Sequence, residues 1–187
     1  MLKRIARRVL AKDLDGLQRQ ISLMGEELDA LRSRMDLGAA FAEAFQEARR
    51  QPAYEAAYAD PDPLVSVCVA TYNRGAKLTE RCLPSLLKQT HRNLEILVVG
   101  DACTDDTEAR VAALGDPRIR FENLAERGRY PEDPHRRWMV AGTVPINRAL
   151  ALASGRFVTH LDDDDAHAED RIEKLLKLAR ATRADIV

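Results

Sequence analysis

The sequence has 187 residues, a balanced charge and few aromatic residues, and these properties exclude several classes of protein. The formal net charge of −1 gives no strong field to attract nucleic acid or a membrane to the whole chain. The length predicts one domain with an appendage, or two small units, and an apolar content of 45% is sufficient for a core. No apolar run approaches the length of a membrane span, and the N-terminus lacks the apolar stretch of a secretory signal.

The three cysteines, Cys68, Cys82 and Cys103, are odd in number and contain no Cys-x-x-Cys pair. Such a set is typical of free thiols in a reducing compartment. We therefore expect a cytoplasmic protein, and the balanced charge indicates that it binds no nucleic acid.

Residues 1–12 contain five basic residues and no acidic one, and their apolar residues share one helical face. A basic amphipathic helix can lie on an anionic membrane surface, which would place the protein at the inner face of the membrane. The alternative, which we favour, is a solvated start of the next helix, since charged runs usually face solvent.

Residues 14–35 have apolar residues in alternating steps of three and four, the spacing of a heptad seam. The a and d positions are all apolar over three heptads: Leu14, Leu17, Ile21, Met24, Leu28, Leu31 and Met35. Glu27 falls at g and Arg32 at the following e, which is the pairing expected between parallel chains. The spacing predicts a coiled coil and therefore a homo-oligomer. The alternative is an amphipathic helix packed against its own globular domain.

A second helical pattern occupies residues 38–59, and Asp-Pro-Asp-Pro follows it at residues 60–63. Each residue before a proline is held extended, so these residues predict a stiff linker. We therefore expect a helical oligomerisation segment at residues 1–60 and a second domain at residues 61–187.

Beyond the linker, short apolar runs alternate with helical patterns, which is typical of a mostly parallel α/β sheet. The expected strands are residues 64–70, 94–99, 118–122 and 157–161, and another strand is expected to start at residue 184. The expected helices cover residues 76–89, 104–114, 145–153 and 168–181. Pro84 should kink or divide the first of these helices. A long, arginine-bearing loop is expected at residues 123–142.

The fourth strand ends in four consecutive carboxylates at residues 162–165. A buried strand that delivers four mutually repelling charges to its end makes physical sense if a divalent cation binds there. The alternative is a solvated acidic turn or a helix N-terminus. Asp101 ends another expected strand, and ligands of open α/β sheets bind beyond such strand ends. Carboxylates, a metal and the loop arginines around one crevice predict a diphosphate site.

Five motifs in order resemble those of family 2 glycosyltransferases with the GT-A fold. They are VSVCVATYNR at residues 65–74, SLLKQT at 85–90, LVVGD with TDDT at 97–107, the helix containing Asn147, and ASGRF leading into LDDDD at 153–165. The resemblance covers residues 64–187. It implies a Rossmann-like, mostly parallel sheet flanked by helices, here preceded by the coiled-coil segment.

The resemblance implies roles for the matched residues. The loop after the first strand is expected to bind the nucleotide through Ala70, Tyr72, Asn73 and Arg74, with the base packed near Ala70 and Tyr72. Asp101 is expected to accept a hydrogen bond from the base. In the acidic run, Asp164 is the expected ligand of Mn²⁺ or Mg²⁺, with Asp162 or Asp163 as the ribose or metal partner.

Two positions depart from the pattern of the family. The family usually has two acids at the end of the second strand, and Gly100 stands in place of the first. Family members often carry an arginine directly before the asparagine of the following helix, where this chain has Ile146. We therefore expect a loop arginine, Arg136 or Arg137, to contact a phosphate.

The implied activity is metal-dependent, inverting transfer of a sugar from a nucleotide-sugar, expected to be a UDP-sugar, to a saccharide or glycoconjugate acceptor in polysaccharide synthesis. The catalytic base is expected beyond Val187, because only 22 residues follow Asp165 and the acids among them suit the first turn of a helix. The chain is therefore expected to be the nucleotide-binding half of a transferase, either cut before its acceptor half, which we favour because it stops inside an expected strand, or naturally short, and to be inactive alone.

Two other functions are compatible with parts of the pattern. The first is a non-catalytic oligomeric module that binds nucleotide-sugar or assists assembly. The second is a phosphoryl-transfer or receiver-like domain, which would need a lysine late in the sheet. We rank it last, because Lys174 and Lys177 fall on an expected helix.

Overall fold

The computed structural model describes the backbone of residues 2–187. Side chains are described for residues 38–187 and, in the preceding helix, for residues 18, 20–26, 28, 29, 32, 33, 35 and 36. The chain divides into two compact units, Met1–Tyr54 and Glu55–Val187. This division lies shortly before the proline-rich residues 60–63, where we expected the boundary.

The first unit is helical. Helix α1 (Leu2–Arg50) is continuous and makes up most of this unit. Helix α2 (Pro52–Ala59) begins at the end of the first unit, and its residues from Glu55 onward belong to the second unit. Pro52 starts α2, and its missing N–H would have no intrahelical partner at the first helical position in any case. Within the described part of the chain, no helix combines the length and the apolar character needed to cross a bilayer.

The described side chains of the predicted heptad seam are exposed, with fractions of 67% for Ile21, 62% for Met24, 51% for Leu28 and 74% for Met35. Arg32 pairs with Asp29 of its own helix at a nitrogen–oxygen distance of 3.7 Å. The side chains of Leu14, Leu17, Glu27, Leu31 and residues 1–12 lie outside the described residues. The coiled coil and the membrane contact therefore stay predictions.

The second unit contains a four-stranded parallel sheet. Its strands are β1 (Val65–Thr71), β2 (Leu94–Gly100), β3 (Ile119–Asn123) and β4 (Phe157–His160), in the spatial order β3-β2-β1-β4. Val65 lies opposite both Leu94 and Phe157, and all three strand pairings are parallel. The direction of the strand order reverses beside β1, so the carboxyl ends of β1 and β4 border a crevice.

Helices cover both faces of the sheet. One face carries α3 (Gly75–Lys77), a π-helical turn (Leu78–Cys82), α4 (Leu83–Leu87), α5 (Thr107–Ala113) and α8 (Arg171–Thr182). The other face carries α7 (Thr143–Leu152). Side chains of β1 alternate between these layers, since Val67 and Val69 join the first core and Cys68 joins the second. The predicted α/β fold class is confirmed.

Pro84, expected to kink or divide the helix predicted at residues 76–89, distorts it without ending it, since helical geometry continues from residue 75 to residue 87 through a π-helical turn. Proline has no N–H to donate to the preceding turn, and its ring crowds that turn. The wider π-helical turn Leu78–Cys82 directly precedes α4 and accommodates the ring.

Two segments differ from the prediction. Residues 123–142, expected as a loop, contain α6 (Pro134–Val140). Asp133 caps this helix by accepting a hydrogen bond from the backbone N–H of Arg136 at 2.8 Å. Residues 184–187, expected to start a strand, are irregular and pair with none of the four strands. An apolar run forms a strand only where a neighbouring backbone takes its hydrogen bonds.

Gln89 connects α4 to the segment before α8 through a fully buried amide. Its Nε2 donates to the carbonyls of Ser85 and Ala168 at 3.1 and 2.7 Å, and its Oε1 accepts from the N–H of Ile172 at 3.1 Å. We expect Gln89→Ala to lower the free energy of unfolding by about 2 kcal/mol or more, because it leaves buried backbone groups unpaired. Chemical denaturation measures the loss. Gln51→Ala removes an exposed amide and is the matched control; equal losses would contradict the prediction.

Candidate functional site

A cleft with a volume of about 670 Å³ opens at the carboxyl ends of β1 and β4. Its walls come from β1 and the following loop, the residue after β2, the segment after β3, the start of α7 and the acidic run after β4. Ligands of open α/β sheets bind at this kind of position, where the strand order reverses. The topology therefore makes this cleft the candidate site.

The acidic run lies at the cleft, and its members have different environments. Asp163 is 5% exposed, whereas Asp162 and Asp165 are exposed. The hydroxyl of Thr71, at the end of β1, donates to Asp163 Oδ2 at 2.7 Å. Residues 162–164 line the cleft, while Asp165 is not among the lining residues. The four carboxylates are therefore not equivalent.

Two cations relieve the repulsion within the acidic run. Arg74 Nη1 donates to Asp163 Oδ1 at 3.0 Å and to Asp164 Oδ2 at 3.1 Å. Lys77 Nζ lies 3.7 Å from the same oxygen of Asp164. The hydrogen bond to Asp163 and the charge of that carboxylate raise the pKa of Arg74 above its usual value. The run is thus ion-paired and partly buried, which distinguishes it from a freely solvated turn.

Asp162 and Asp164 are the acidic residues of the cleft that are not buried. Among the residues with described side chains, no group of three or more His, Cys, Asp or Glu converges as a ready set of metal ligands. Mg²⁺ commonly takes one or two carboxylates and completes its coordination with phosphate oxygens and water, and Mn²⁺ also prefers oxygen ligands. The two carboxylates fit an ion that binds together with a diphosphate.

Asp101 follows β2 and is buried, with 3% of its surface exposed. The backbone N–H of Gly128 donates to its Oδ1 at 2.8 Å, and the hydroxyl of Tyr130 donates to its Oδ2 at 2.9 Å. Burial raises the pKa of Tyr130 to about 12, and the hydrogen bond and negative charge of Asp101 add to the effect. Both oxygens of the carboxylate expected to bind a base thus have partners within the chain.

Arg127 covers the ring of Tyr72. The guanidinium carbon lies 3.6 Å from the ring centre, a cation–π contact, and Nε lies 3.5 Å from Asp101 Oδ2. The side chain of Arg127 is nevertheless 48% exposed. Residues 127–130 therefore fold across the part of the cleft that contains Tyr72 and Asp101.

Gly100 occupies the position where the family resemblance implies an additional acid. The structure explains why this chain has a glycine there. A Cβ at this position would lie 2.5 Å from Asn123 Oδ1 and 3.0 Å from Cys103 Sγ. Asn123 is held there because its amide accepts from the N–H of Cys103 at 2.8 Å and donates to the carbonyl of Cys103 at 2.9 Å. The amide of Asn123 fills the space that an acidic side chain would need.

Most of the predicted site residues line this cleft: Ala70, Tyr72, Arg74, Asp101, Asp162, Asp163 and Asp164. Asn73 does not, and it joins two loops by accepting from the N–H of Thr104 at 2.8 Å. Arg136 and Arg137 lie on α6 outside the lining, and Arg137 Nε donates to the carbonyl of Pro131 at 2.9 Å. Trp138 of the same helix does line the cleft, so the contact of Arg136 or Arg137 with a phosphate stays a prediction.

Sequence reasoning missed the roles of Thr71 and Tyr130. Thr71 carried a usable signal, because it is a polar residue at the end of an apolar strand that leads into the site. Tyr130 carried no such signal, since its partner Asp101 lies 29 residues earlier in the chain. The cysteines Cys68, Cys82 and Cys103 are free thiols, as predicted.

Tyr130 provides a pH-dependent test of its contact with Asp101. Its pKa is raised from 10.0 to about 12 in the folded state, so its contribution to stability is complete below about pH 10 and is lost as the pH rises towards 12. The phenolate absorbance of each protein is measured against pH, and the curve of Tyr130→Phe is subtracted from that of the wild type. We expect the difference curve to have its midpoint near pH 12. Asp101→Asn should lower this midpoint, because it removes the negative charge beside the phenolate. A midpoint that Asp101→Asn leaves unchanged would contradict the assignment.

Comparisons with known proteins agree with this architecture. Residues 66–131 and 135–187 match the sequence model of the family described as Glycosyl transferase family 2. The chain is 32% identical over 126 residues to Glycosyltransferase GlyG of Streptococcus pneumoniae. The aligned residues cover 66% of this chain and 38% of GlyG. It is 35% identical over 127 residues to Succinoglycan biosynthesis protein ExoO of Rhizobium meliloti, and the aligned residues cover 68% of this chain and 33% of ExoO.

A third relative is the Escherichia coli protein named UDP-Glc:alpha-D-GlcNAc-diphosphoundecaprenol beta-1,3-glucosyltransferase WfgD. It is 33% identical over 118 residues, which cover 63% of this chain and 41% of WfgD. The chain thus spans about a third to two fifths of the length of these curated relatives.

Solved structures of S. aureus TarS share the fold. TarS 1–349 in complex with UDP is 27% identical, with a TM-score of 0.53 over 65% of this chain and 33% of that chain. Its complex with UDP-GlcNAc is also 27% identical and has a TM-score of 0.54. The GT-A fold and the family expected from the five motifs are confirmed, and the chain belongs to glycosyl transferase family 2.

Proposed function

We propose that the second unit binds the nucleotide-sugar donor of a glycosyltransferase, with UDP as the carrier, in the cleft at the carboxyl ends of β1 and β4. The observation that carries this proposal is that one cleft contains an aromatic ring, a buried carboxylate and an acidic run with an arginine: Tyr72, Asp101, residues 162–164 and Arg74. These groups match the base and the diphosphate of the ligand. Support also comes from TarS, a protein of similar fold whose structure contains UDP.

Each group in the cleft receives a role. Tyr72 offers a flat surface to the base, and Asp101 accepts a hydrogen bond from it. Asp162 and Asp164 hold Mn²⁺ or Mg²⁺. The family resemblance also assigns Asp162 a contact with the ribose. Arg74 lies beside the acidic run, so we assign the phosphate contact to it instead of to Arg136 or Arg137, which lie outside the cleft lining.

The proposed reaction is inverting transfer of the sugar. Negative charge builds up on the diphosphate as the sugar–phosphate bond breaks, and the sugar carbon becomes cationic in character. When bound, the divalent ion supplies positive charge that stabilises the leaving diphosphate. Arg74 contributes a second cation at the same place. A carboxylate takes the proton from the acceptor hydroxyl, and we place this base outside the segment that matches the relatives.

The acceptor is proposed to be a saccharide or glycoconjugate in polysaccharide synthesis at the cytoplasmic side of a membrane. The names of two relatives support the choice of acceptor: WfgD is named as a glucosyltransferase for a diphosphoundecaprenol-linked sugar, and ExoO as a succinoglycan biosynthesis protein.

Thermal-shift binding of UDP, GDP and dTDP, each with and without Mn²⁺, tests the donor site. A ligand at roughly a hundred times its dissociation constant stabilises the folded state by about 2.7 kcal/mol. We expect UDP with Mn²⁺ to raise the melting temperature of the wild type. Asp164→Ala should abolish this rise, because it removes a proposed metal ligand that lines the cleft.

Asp165→Ala is the matched control, since it also removes one carboxylate of the run but from a residue outside the cleft lining. It should keep the Mn²⁺-dependent stabilisation by UDP. Equal losses in the two variants would reject the specific role of Asp164. A wild type that no nucleotide stabilises would reject the donor site, and stabilisation by GDP alone would change the carrier.

We also propose that residues 14–35 of α1 form a parallel coiled coil with a second copy of the chain. The exposed seam side chains Ile21, Met24, Leu28 and Met35 support this proposal, because apolar a and d positions gain stability by packing into a partner helix. The sequence also places Glu27 at g and Arg32 at the following e, which are complementary charges between parallel copies.

Leu23 makes a matched control for this seam, since it is 60% exposed on the same helix but falls outside the a and d positions. We expect Ile21→Asp or Leu28→Asp to dissociate the oligomer, because a charge in the seam would be buried unpaired. Leu23→Asp should leave the oligomer intact. Light scattering gives the mass of each protein, and an unchanged mass in both seam variants would reject the coiled coil.

A further inference from the structure

Residues 127–130, which we call the latch, contact Tyr72 and Asp101, the two residues to which the proposed function assigns the binding of the base. Arg127 lies against the face of Tyr72, with 3.6 Å between the guanidinium carbon and the ring centre. The N–H of Gly128 and the hydroxyl of Tyr130 occupy both oxygens of Asp101 at 2.8 and 2.9 Å. A base can stack on this face of Tyr72 only after Arg127 leaves it, and it can reach Asp101, which is 3% exposed, only after a neighbouring group makes room.

We propose that the latch competes with the base of the donor for Tyr72 and Asp101, so that UDP binds only when Arg127 and Tyr130 have moved aside. This inference rests on the proposed function, because it takes Tyr72 and Asp101 as the base-binding residues. A protein whose binding-competent state is partly populated binds with an apparent affinity reduced by that populated fraction. The latch therefore lowers the affinity for the donor without being a ligand of it.

The backbone of the latch is its fixed part. A Cβ at Gly128 would lie 2.9 Å from Val144 Cγ2, so the backbone packs closely against α7 at this residue. The N–H of Leu124 donates to the carbonyl of Gly100 at 2.9 Å and ties the preceding residues to β2. Arg127, with a side chain 48% exposed, has solvent to move into. Opening therefore needs side-chain rotation rather than displacement of the whole segment.

The chemistry of uracil fits a partial exchange at Asp101. Uracil offers one ring N–H beside two acceptor carbonyls, so it needs room at only one oxygen of this carboxylate. The hydroxyl of Tyr130 leaves when its side chain rotates, while the backbone N–H of Gly128 stays on Oδ1. Both oxygens of the buried carboxylate then keep a donor, which avoids the cost of an unpaired buried acceptor.

The affinity of the full chain for UDP in the presence of Mn²⁺ tests the latch. Titration calorimetry measures it, and so does the fluorescence of Trp138, the single tryptophan, which lines the cleft and is 77% exposed. Arg127→Ala and Tyr130→Phe each remove one exchangeable contact of the latch. We expect tighter UDP binding in both variants, by up to roughly tenfold if the latch is closed about nine tenths of the time.

Arg129→Ala is the matched control, because this exposed arginine belongs to the same segment but lies outside the cleft lining. Its affinity for UDP should equal that of the wild type. Tyr130→Phe provides a second safeguard, since it leaves the net charge of the protein unchanged. Tighter binding in both arginine variants but not in Tyr130→Phe would indicate a general loosening of residues 127–130, because the loss of a positive charge alone should weaken the binding of anionic UDP, and it would overturn the latch.

The remaining outcomes separate the latch from the proposed function. The wild type can bind UDP while Arg127→Ala and Tyr130→Phe bind it with equal or lower affinity. In that case the latch is overturned and the donor site stands. If only these variants bind UDP, the latch is supported in its strongest form. If neither the wild type nor the variants bind UDP, both proposals are overturned.

Discussion

The hydrogen bond from Thr71 to Asp163, 2.7 Å long, joins the end of β1 to the acidic run, and the arrangement of the site depends on it. A carboxylate is stable in a buried position only if donors compensate for lost water. Thr71 and Arg74 provide those donors for Asp163. With Asp163 held inward, its neighbours Asp162 and Asp164 line the cleft. The positions of the proposed metal ligands thus depend on a carboxylate that is not assigned to the metal.

The same principle applies to Asp101, the second buried carboxylate of the cleft. Its donors come from residues 127–130, whereas those of Asp163 come from β1 and the loop after it. Both carboxylates therefore have internal partners before any ligand arrives. Ligand binding in such a cleft is an exchange of partners, and its free energy is the difference between two sets of contacts.

The four strands that form were predictable to within one residue at each end. β1 and β2 are continuous apolar runs, as expected of buried parallel strands, whereas the edge strands β3 and β4 mix partly buried and exposed residues. The strand expected at residue 184 did not form, because none of the four strands pairs with it. Helix α6 was not predictable in this way, since none of its residues is buried and a cap rather than an apolar face defines it. The acidic run stood out because adjacent like charges have no packing explanation. The contact between Tyr130 and Asp101 spans 29 residues and depends on an irregular backbone, so no local pattern indicated it.

Gly100 and Asn123 are opposite each other in the pairing of β2 with β3, and the amide of Asn123 fills the space beside Gly100. A side chain at position 100 and an asparagine in this orientation at position 123 therefore exclude each other. We therefore expect the two positions to change together in evolution. In relatives that keep an acid at the position of Gly100, the residue opposite it should be smaller or turned away, so that the two sites change together along a lineage.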